Sequence, residues 1–418
     1  MRLVPLHALA LMALVSIPAL AAPPAALPPE EAYGYTRYEL LAPGSGKFRI
    51  VYDITETRAG ATAFFNPIRK GSVSTDESVI DRATGAPLAF KVVSGANAKA
   101  EMPELDPTYD YIRVTLARPV PADGGEARIR IFKTYEDSKS YYENIIGGFI
   151  ENHDIVFERS LGIKRNAVVL PKGYALMSCN YPVQIAQEAD GRIRVSFLNN
   201  TPAEAPLKLE AREMQIPTGP SSEQKRLGER AAQTRTIVYF LRDPETHTFD
   251  LYHDYTEEKA GTSRYINVVR TGSAAANPSA RNLDTGEAIP AQILKGDQIT
   301  KAGITDPDLP SPITADSEIV VFPFAPLKEG QSIRLRMSET YTDPTRYKLE
   351  GDELVFDRSF ARATNTVVLP SGWQLTNSTI PAQVSTLPDG RVRLDFVNPR
   401  PDEIDVLITA RKAKANGV

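Results

Sequence analysis

Apolar and polar residues alternate with a period of two in several short runs. Arg192-Ile193-Arg194-Val195-Ser196-Phe197 is one, and Arg391-Val392-Arg393-Leu394-Asp395-Phe396 is another. Arg128-Ile129-Arg130-Ile131 and Arg334-Leu335-Arg336-Met337 carry the same pattern. Successive side chains of a strand point to opposite faces. Each run therefore predicts an antiparallel strand with its apolar members buried and its arginines on a solvated face. Asp190-Gly191 and Asp389-Gly390 precede two of the runs, where a hairpin needs residues tolerant of positive φ. Asn199 with Pro202, and Asn398 with Pro401, close the same strands.

These runs come in pairs because the chain contains itself twice. Residues 155–212 align without a gap onto 354–411 at a constant offset of 199, with 23 of 58 positions identical. Val168-Val169-Leu170-Pro171 lies against Val367-Val368-Leu369-Pro370, and Phe157-Glu158-Arg159-Ser160 against Phe356-Asp357-Arg358-Ser359. Weaker anchors extend the match forward: Thr84-Gly85 against Thr285-Gly286, and Thr134-Tyr135-Glu136-Asp137 against Thr340-Tyr341-Thr342-Asp343. A duplication requires each copy to be a unit that folds and stacks.

The expected architecture is all-β: two tandem repeats of an antiparallel β-sandwich-type domain, spanning 35–214 and 235–413, joined by a short linker over 215–234. Each copy has room for about ten to twelve strands, as one large sandwich or two small ones. Ser221 to Gln233, rich in Glu, Lys, Arg, Gln and Ala with Leu227 its lone large apolar residue, predicts a solvated helical spacer. The arrangement is similar to the noncatalytic β domains that flank exported bacterial peptidases and glycosidases, a likeness of architecture alone.

The N-terminus adds a compartment. Met1-Arg2, an apolar run from Leu3 to Leu20, and the small-x-small triplet Ala19-Leu20-Ala21 predict a cleaved signal peptide over 1–21. Residues 22–34, rich in proline, predict a disordered leader. The expected location is periplasmic or secreted, in a bacterium, with no transmembrane segment in the mature chain. Cys179 is the one cysteine, so no internal disulfide forms. A domain of about 180 residues does not need one. Cys179 aligns with Ser378 and reads as a small packing residue. The net charge of −4 gives no basic footprint for nucleic acid.

Candidate chemistry is sparse. Beyond the signal segment the histidines are His153, His247 and His253, with no zinc-type spacing, nucleophile elbow or phosphate loop around them. No metal and no cofactor is expected, and an enzyme is disfavoured. Between Tyr142 and Asp154 the first copy holds residues that the second lacks, including Glu143, Phe149, Glu151 and His153. An apolar insertion on a β scaffold forms a contact surface or a hairpin extension packed on its own domain or on the second copy. Tyr135, Tyr141 and Tyr142 precede it and offer rings that stack on sugars or pair across strands. Arg159, matched by Arg358, binds an acidic ligand or bridges to a carboxylate such as Glu158 or Asp357. Trp373, opposite Tyr174, belongs to the core.

The candidate binding residues are thus Tyr135, Tyr141, Tyr142, Glu143, Phe149, Glu151, His153 and Arg159. The expected function is noncatalytic binding of a partner protein or polysaccharide in the cell envelope. Its alternatives are a carboxylate-based hydrolase or lyase with its site between the repeats, and a structural envelope component.

Overall fold

The computed structural model describes residues 34–146, 149–214, 228–306 and 309–413, without the side chains of 145–153. The signal-peptide segment, nearly all of the leader and most of the linker lie outside the described residues. Among the described residues the chain is nearly all β, with fourteen strands between Tyr35 and Glu213 and fifteen between Thr236 and Lys412. That exceeds the ten to twelve expected per copy, because several strands are only two to four residues long.

The first half is built on a seven-stranded sheet. Its order is Gln184–Gln187, Ile193–Leu198, Arg165–Val169, Tyr35–Leu40, Lys47–Glu56, Ala127–Glu136 and Val73–Asp81. The second half repeats that order in Gln383–Thr386, Val392–Val397, Thr364–Val368, Thr236–Leu241, Thr248–Glu257, Ile333–Thr342 and Ala274–Asn282, and adds Ala288–Ile289 at the edge. Each large sheet holds one parallel ladder, Tyr35–Leu40 on Arg165–Val169 and Thr236–Leu241 on Thr364–Val368.

Each repeat is neither one simple sandwich nor two separate ones. One continuous large sheet is faced by two small sheets side by side. In the first half a four-stranded sheet encloses Tyr38, Phe48, Phe157 and Val168. Tyr38 and Phe48 both pack on Phe157, with ring centroids 5.4 and 5.5 Å away. Each such ring pair contributes about 1 kcal/mol beyond its buried area. A three-stranded sheet covers the other end of the large sheet over Ile54, Val79, Ile129 and Ile131. The helix Gly95–Glu101 closes the outer face of that small sheet, burying Ala98 beside Phe65 and Tyr111.

The strand Ala127–Glu136 crosses the seam between these two cores. Its inward row reads Ala127, Ile129, Ile131, Lys133 and Tyr135. The first three enter one core and Tyr135 enters the other. Lys133 falls between them. The equivalent row of Ile333–Thr342 reads Ile333, Leu335, Met337, Glu339 and Tyr341.

The opposite, arginine-bearing face is not solvated as expected. Arg128 and Arg334 are wholly buried where the two halves meet. Arg128 places Nε and Nη2 each 2.7 Å from the two carboxylate oxygens of Asp284. Arg334 lies 3.6 Å from Glu126. Two backbone hydrogen bonds cross in near-reciprocal fashion, from Glu126 N–H to Leu283 O and from Ser332 N–H to Ala83 O. Alternation told which face these arginines share, while the second copy of the fold supplies what covers it.

The linker expectation needs correction where it is described. Gly228 to Gln233 forms turns, not helix. Arg230 from this segment donates to Asn398 O and Ala361 O, and Arg165 donates to Ala231 O and Gln233 O. Backbone carbonyls captured by arginines replace the helical ladder there. Trp373 is buried in the core, and Cys179 is a half-buried free thiol packed against the first core. Among the described residues no helix is long and apolar enough to cross a membrane.

Candidate functional site

The seam between the small sheets of the first half opens as a cleft of about 680 Å³. One wall is the edge strand Ala63–Ile68, and the other is the end of Phe149–Leu161 with the turn after it. The large sheet forms the floor through Tyr38, Ile50, Tyr52, Lys133 and Tyr135. Glu104, Asp106, Tyr109 and Glu204 stand at the rim.

Lys133 is the unusual group. Its ammonium donates to Asn66 Oδ1 at 2.5 Å and to the Tyr135 hydroxyl at 3.3 Å, and it lies 4.7 Å from the Tyr135 ring centroid. Burial, reinforced by the Arg159 charge, pushes its pKa down to about 7. A lysine whose charge is marginal at neutral pH can hand a proton to, or accept one from, whatever enters the cleft.

Arg159 is held beside it. The guanidinium sits 3.1 Å from Asp137, 3.3 Å from the Ser140 hydroxyl, and 5.5 Å from the ring centroids of both Phe48 and Tyr135. Burial opposes the charge of Asp137, yet the Ser140 hydroxyl and Arg159 hold its carboxyl below the ordinary range. The expected bridge from Arg159 therefore exists, but to Asp137 rather than Glu158. Arg358 likewise pairs with Asp343 at 2.9 Å rather than Asp357. Glu158 follows Phe157 and points to the opposite, exposed side of the strand, where it accepts from Tyr142.

The second half builds the same seam with inverted charge. Asn267 Nδ2 donates to Glu339 at 2.7 Å and to the Tyr341 hydroxyl at 3.0 Å. Burial pushes the Glu339 pKa up to about 7. His253, at the place of Tyr52, is buried and pushed down to about 3 by burial and by Arg362, Arg235 and Arg358. A second cleft of about 620 Å³ lies nearby, along the strand Arg264–Val268.

The structure separates the residues singled out from sequence. Tyr135 and Arg159 line the cleft. Tyr135 is nevertheless 2% exposed and Tyr141 is fully buried, its hydroxyl donating to Leu41 O. Those two rings cannot form an exposed stacking platform, because both point into the core between the large sheet and the four-stranded sheet. Tyr142 is half-buried. Glu143 is also half-buried and presses on the turn at Gly44, where a Cβ would meet its Oε2 at 2.8 Å. The side chains of Phe149, Glu151 and His153 lie outside the described residues. The backbone of the insertion is a hairpin extension, pairing Tyr141–Ile146 with Phe149–Leu161.

Lys133, Asn66, Glu339 and His253 were not singled out in the sequence. For Lys133 and Glu339 a signal was present, since each is a charged residue at the next inward position beyond a run already recognised as alternating.

No family model matches the chain, and no curated protein sequence matches it. Among solved structures, an M1 zinc metallopeptidase from Deinococcus radiodurans is 13% identical with a TM-score of 0.28, covering 43% of this chain and 41% of that one. An aminopeptidase N family protein from Idiomarina loihiensis is 9% identical with a TM-score of 0.25, covering 42% and 29%. The chain thus spans less than half the length of either. A putative protease from Parabacteroides distasonis is 12% identical with a TM-score of 0.25, covering 91% and 92%. Similarities at these scores carry no weight for fold or function.

Proposed function

We propose that this chain is an exported, noncatalytic binding protein of the cell envelope, whose first half takes a saccharide unit of a polysaccharide into the seam cleft. The observation that carries this reading is the cleft itself. Its volume of about 680 Å³ lies within the range of small-molecule sites. It combines the half-buried rings of Tyr52 and Tyr109 with the hydrogen-bonding groups of Asn66, Arg69 and Asp106. Rings that offer apolar faces beside fixed polar groups suit a ligand with apolar faces and hydroxyl edges.

A hydrolase between the repeats needs an acid free to act at their junction. The carboxylates of Asp53, Asp254 and Asp284 there are instead each matched to both nitrogens of one arginine edge, from Arg130, Arg336 and Arg128. Carboxylates spent this way favour the binding reading, against Glu126 at the same junction, which lies 3.6 Å from Arg334 and whose pKa burial raises.

The test is calorimetric titration of residues 22–418 with a panel of polysaccharides and peptidoglycan fragments. Three variants accompany it: Tyr109→Ala, Arg69→Ala, and a deletion of 143–153. Binding lost in the two point variants and kept in the deletion supports the cleft. Binding lost only in the deletion moves the site to the hairpin arm. Binding to none of the panel overturns the saccharide reading and turns the search to protein partners.

A further inference from the structure

The three-stranded sheet of the second half ends in the strand Arg264–Val268, which pairs on one side only, with Glu318–Pro323. Ser263 O accepts from Phe324 N–H, and Val269 N–H donates to Glu318 O. The register then assigns the ladder bonds to Tyr265 and Asn267, and turns the N–H and C=O groups of Arg264, Ile266 and Val268 outward. That open edge is not on a bare surface. Gly261 through Val268 line the cleft of about 620 Å³ without interruption. Arg264 is exposed, and Ile266 and Val268 are half-buried.

The first half has the same edge in Ala63–Ile68, but blunted. Leu116 N–H donates to Thr62 O, so the outward positions are Ala63, Phe65 and Pro67. Pro67 has no N–H, and a proline on an outward position is a common guard against an added strand. Its counterpart in the second half is Val268, which keeps its donor. Both clefts run along this edge, and the guard is absent from the second.

Charge names the occupant. The second cleft is lined by Arg235, Lys259, Arg264 and Arg362 against Glu257 and Asp306. Among the described residues Arg235, Lys259 and Arg264 form no ion pair, and the Arg235 guanidinium lies over the Tyr255 and Tyr265 rings, 4.4 and 5.2 Å from their centroids. The Glu257 carboxylate already accepts from the Tyr255 hydroxyl and from the N–H groups of Glu258 and Lys259. We propose that the second half binds an extended acidic peptide segment of a partner protein, which adds as a strand to Arg264–Val268 and places its carboxylates on the surrounding arginines and lysine. This site is separate from the saccharide cleft of the first half and does not depend on it.

The test uses residues 22–418 and fluorescence anisotropy with a labelled peptide of about ten residues alternating Glu with Val or Thr, a length that spans such an edge. A peptide with Lys in place of Glu is the control. The decisive variant is Val268→Pro, which copies Pro67. It removes one outward donor and no internal ladder bond. Because it also trims a side chain packed on the cluster of Leu294, Ile299 and Ile319, Val268→Ala, which keeps the donor and should keep binding, is the packing control. Circular dichroism checks that both variants fold. The expected result is binding of the acidic peptide that weakens about tenfold in Val268→Pro and in Arg264→Glu, with little binding of the lysine peptide. Absence of binding by the acidic peptide overturns the proposal. Equal affinity in Val268→Pro overturns strand addition, and equal affinity for the lysine peptide overturns the acidic preference.

Discussion

Lys133 and Glu339 occupy the same place in the two halves with opposite charge. Each lies directly across from an inward apolar residue of the neighbouring strand, Ile50 for Lys133 and Leu251 for Glu339. Each is bonded to an asparagine, Asn66 or Asn267, and each sits two residues before a tyrosine that shares the cluster. The asparagine amide is turned over between the copies, offering its oxygen to the ammonium and its nitrogen to the carboxylate. One seam thus holds a buried base and the other a buried acid.

For Lys133 the folded pKa of about 7 lies below the ordinary 10.5. Between those values the unfolded chain binds the proton that the folded chain has released. Stability from this residue therefore rises with pH from about 7 to 10.5. The variant Lys133→Met keeps the length of the side chain and removes the charge. Its stability relative to the parent should fall by about 3 kcal/mol between pH 6 and pH 10. Urea denaturation at the two pH values measures this, and a constant difference would show that the amine is not desolvated.

Glu339 runs the other way. Its folded pKa of about 7 lies above the ordinary 4.5, so the folded chain holds a proton that the unfolded chain has lost. Stability from this group is complete below about pH 4.5 and declines as pH rises to about 7. Glu339→Gln should match the parent at pH 4.5 and exceed it by about 2 kcal/mol at pH 8. Chemical denaturation across that range decides the matter. A variant no more stable than the parent at pH 8 would contradict burial as the cause.

The strands were readable from sequence because a period of two survives in any half-buried sheet. Arg192 to Phe197 and Arg391 to Phe396 fall within a residue of observed strands. What covers each face was not readable. Arg128 and Arg334 look like solvent-facing residues until the other half of the chain is set on top of them. The same limit hid the partner of Arg159. Asp137 and Arg159 both belong to motifs that recur in the second copy, but 22 residues apart they are linked only by the fold. Lys133 could have been found by extending the Arg128-Ile129 alternation, since its parity already placed it inward.

His253 replaces Tyr52 and is buried with both ring nitrogens lacking a protein partner among the described residues. Its folded pKa of about 3 lies below the ordinary 6.5, so it stays neutral in the fold. The stability it contributes is complete above about pH 6.5 and is lost as pH falls toward 3. His253→Leu should therefore lessen acid sensitivity, gaining on the parent by about 2 kcal/mol between pH 7 and pH 4.5. Thermal melts at both pH values test this. An identical loss of Tm on acidification in parent and variant would mean another group controls the acid limb.

Arg128 and Asp284 join the two halves by paired hydrogen bonds, with side chains 0% and 2% exposed. The attraction of a buried pair is largely offset by its desolvation, so its net worth is small, but removing one member strands the other. Asp284 also accepts from Arg334 N–H, so it ties both sheets at once. Asp284→Ala should cost about 3 to 5 kcal/mol because Arg128 is left buried without its carboxylate. Replacing both, as Arg128→Met with Asp284→Leu, should recover part of that loss, since the Arg334 N–H still lacks its acceptor. Calorimetry supplies a second readout. If this pair couples the halves, Asp284→Ala broadens or splits a single unfolding transition, while the double variant restores it. A single sharp transition in Asp284→Ala, shifted no further than by an exposed ion-pair deletion, would instead assign the coupling to the backbone hydrogen bonds from Glu126 and Ser332.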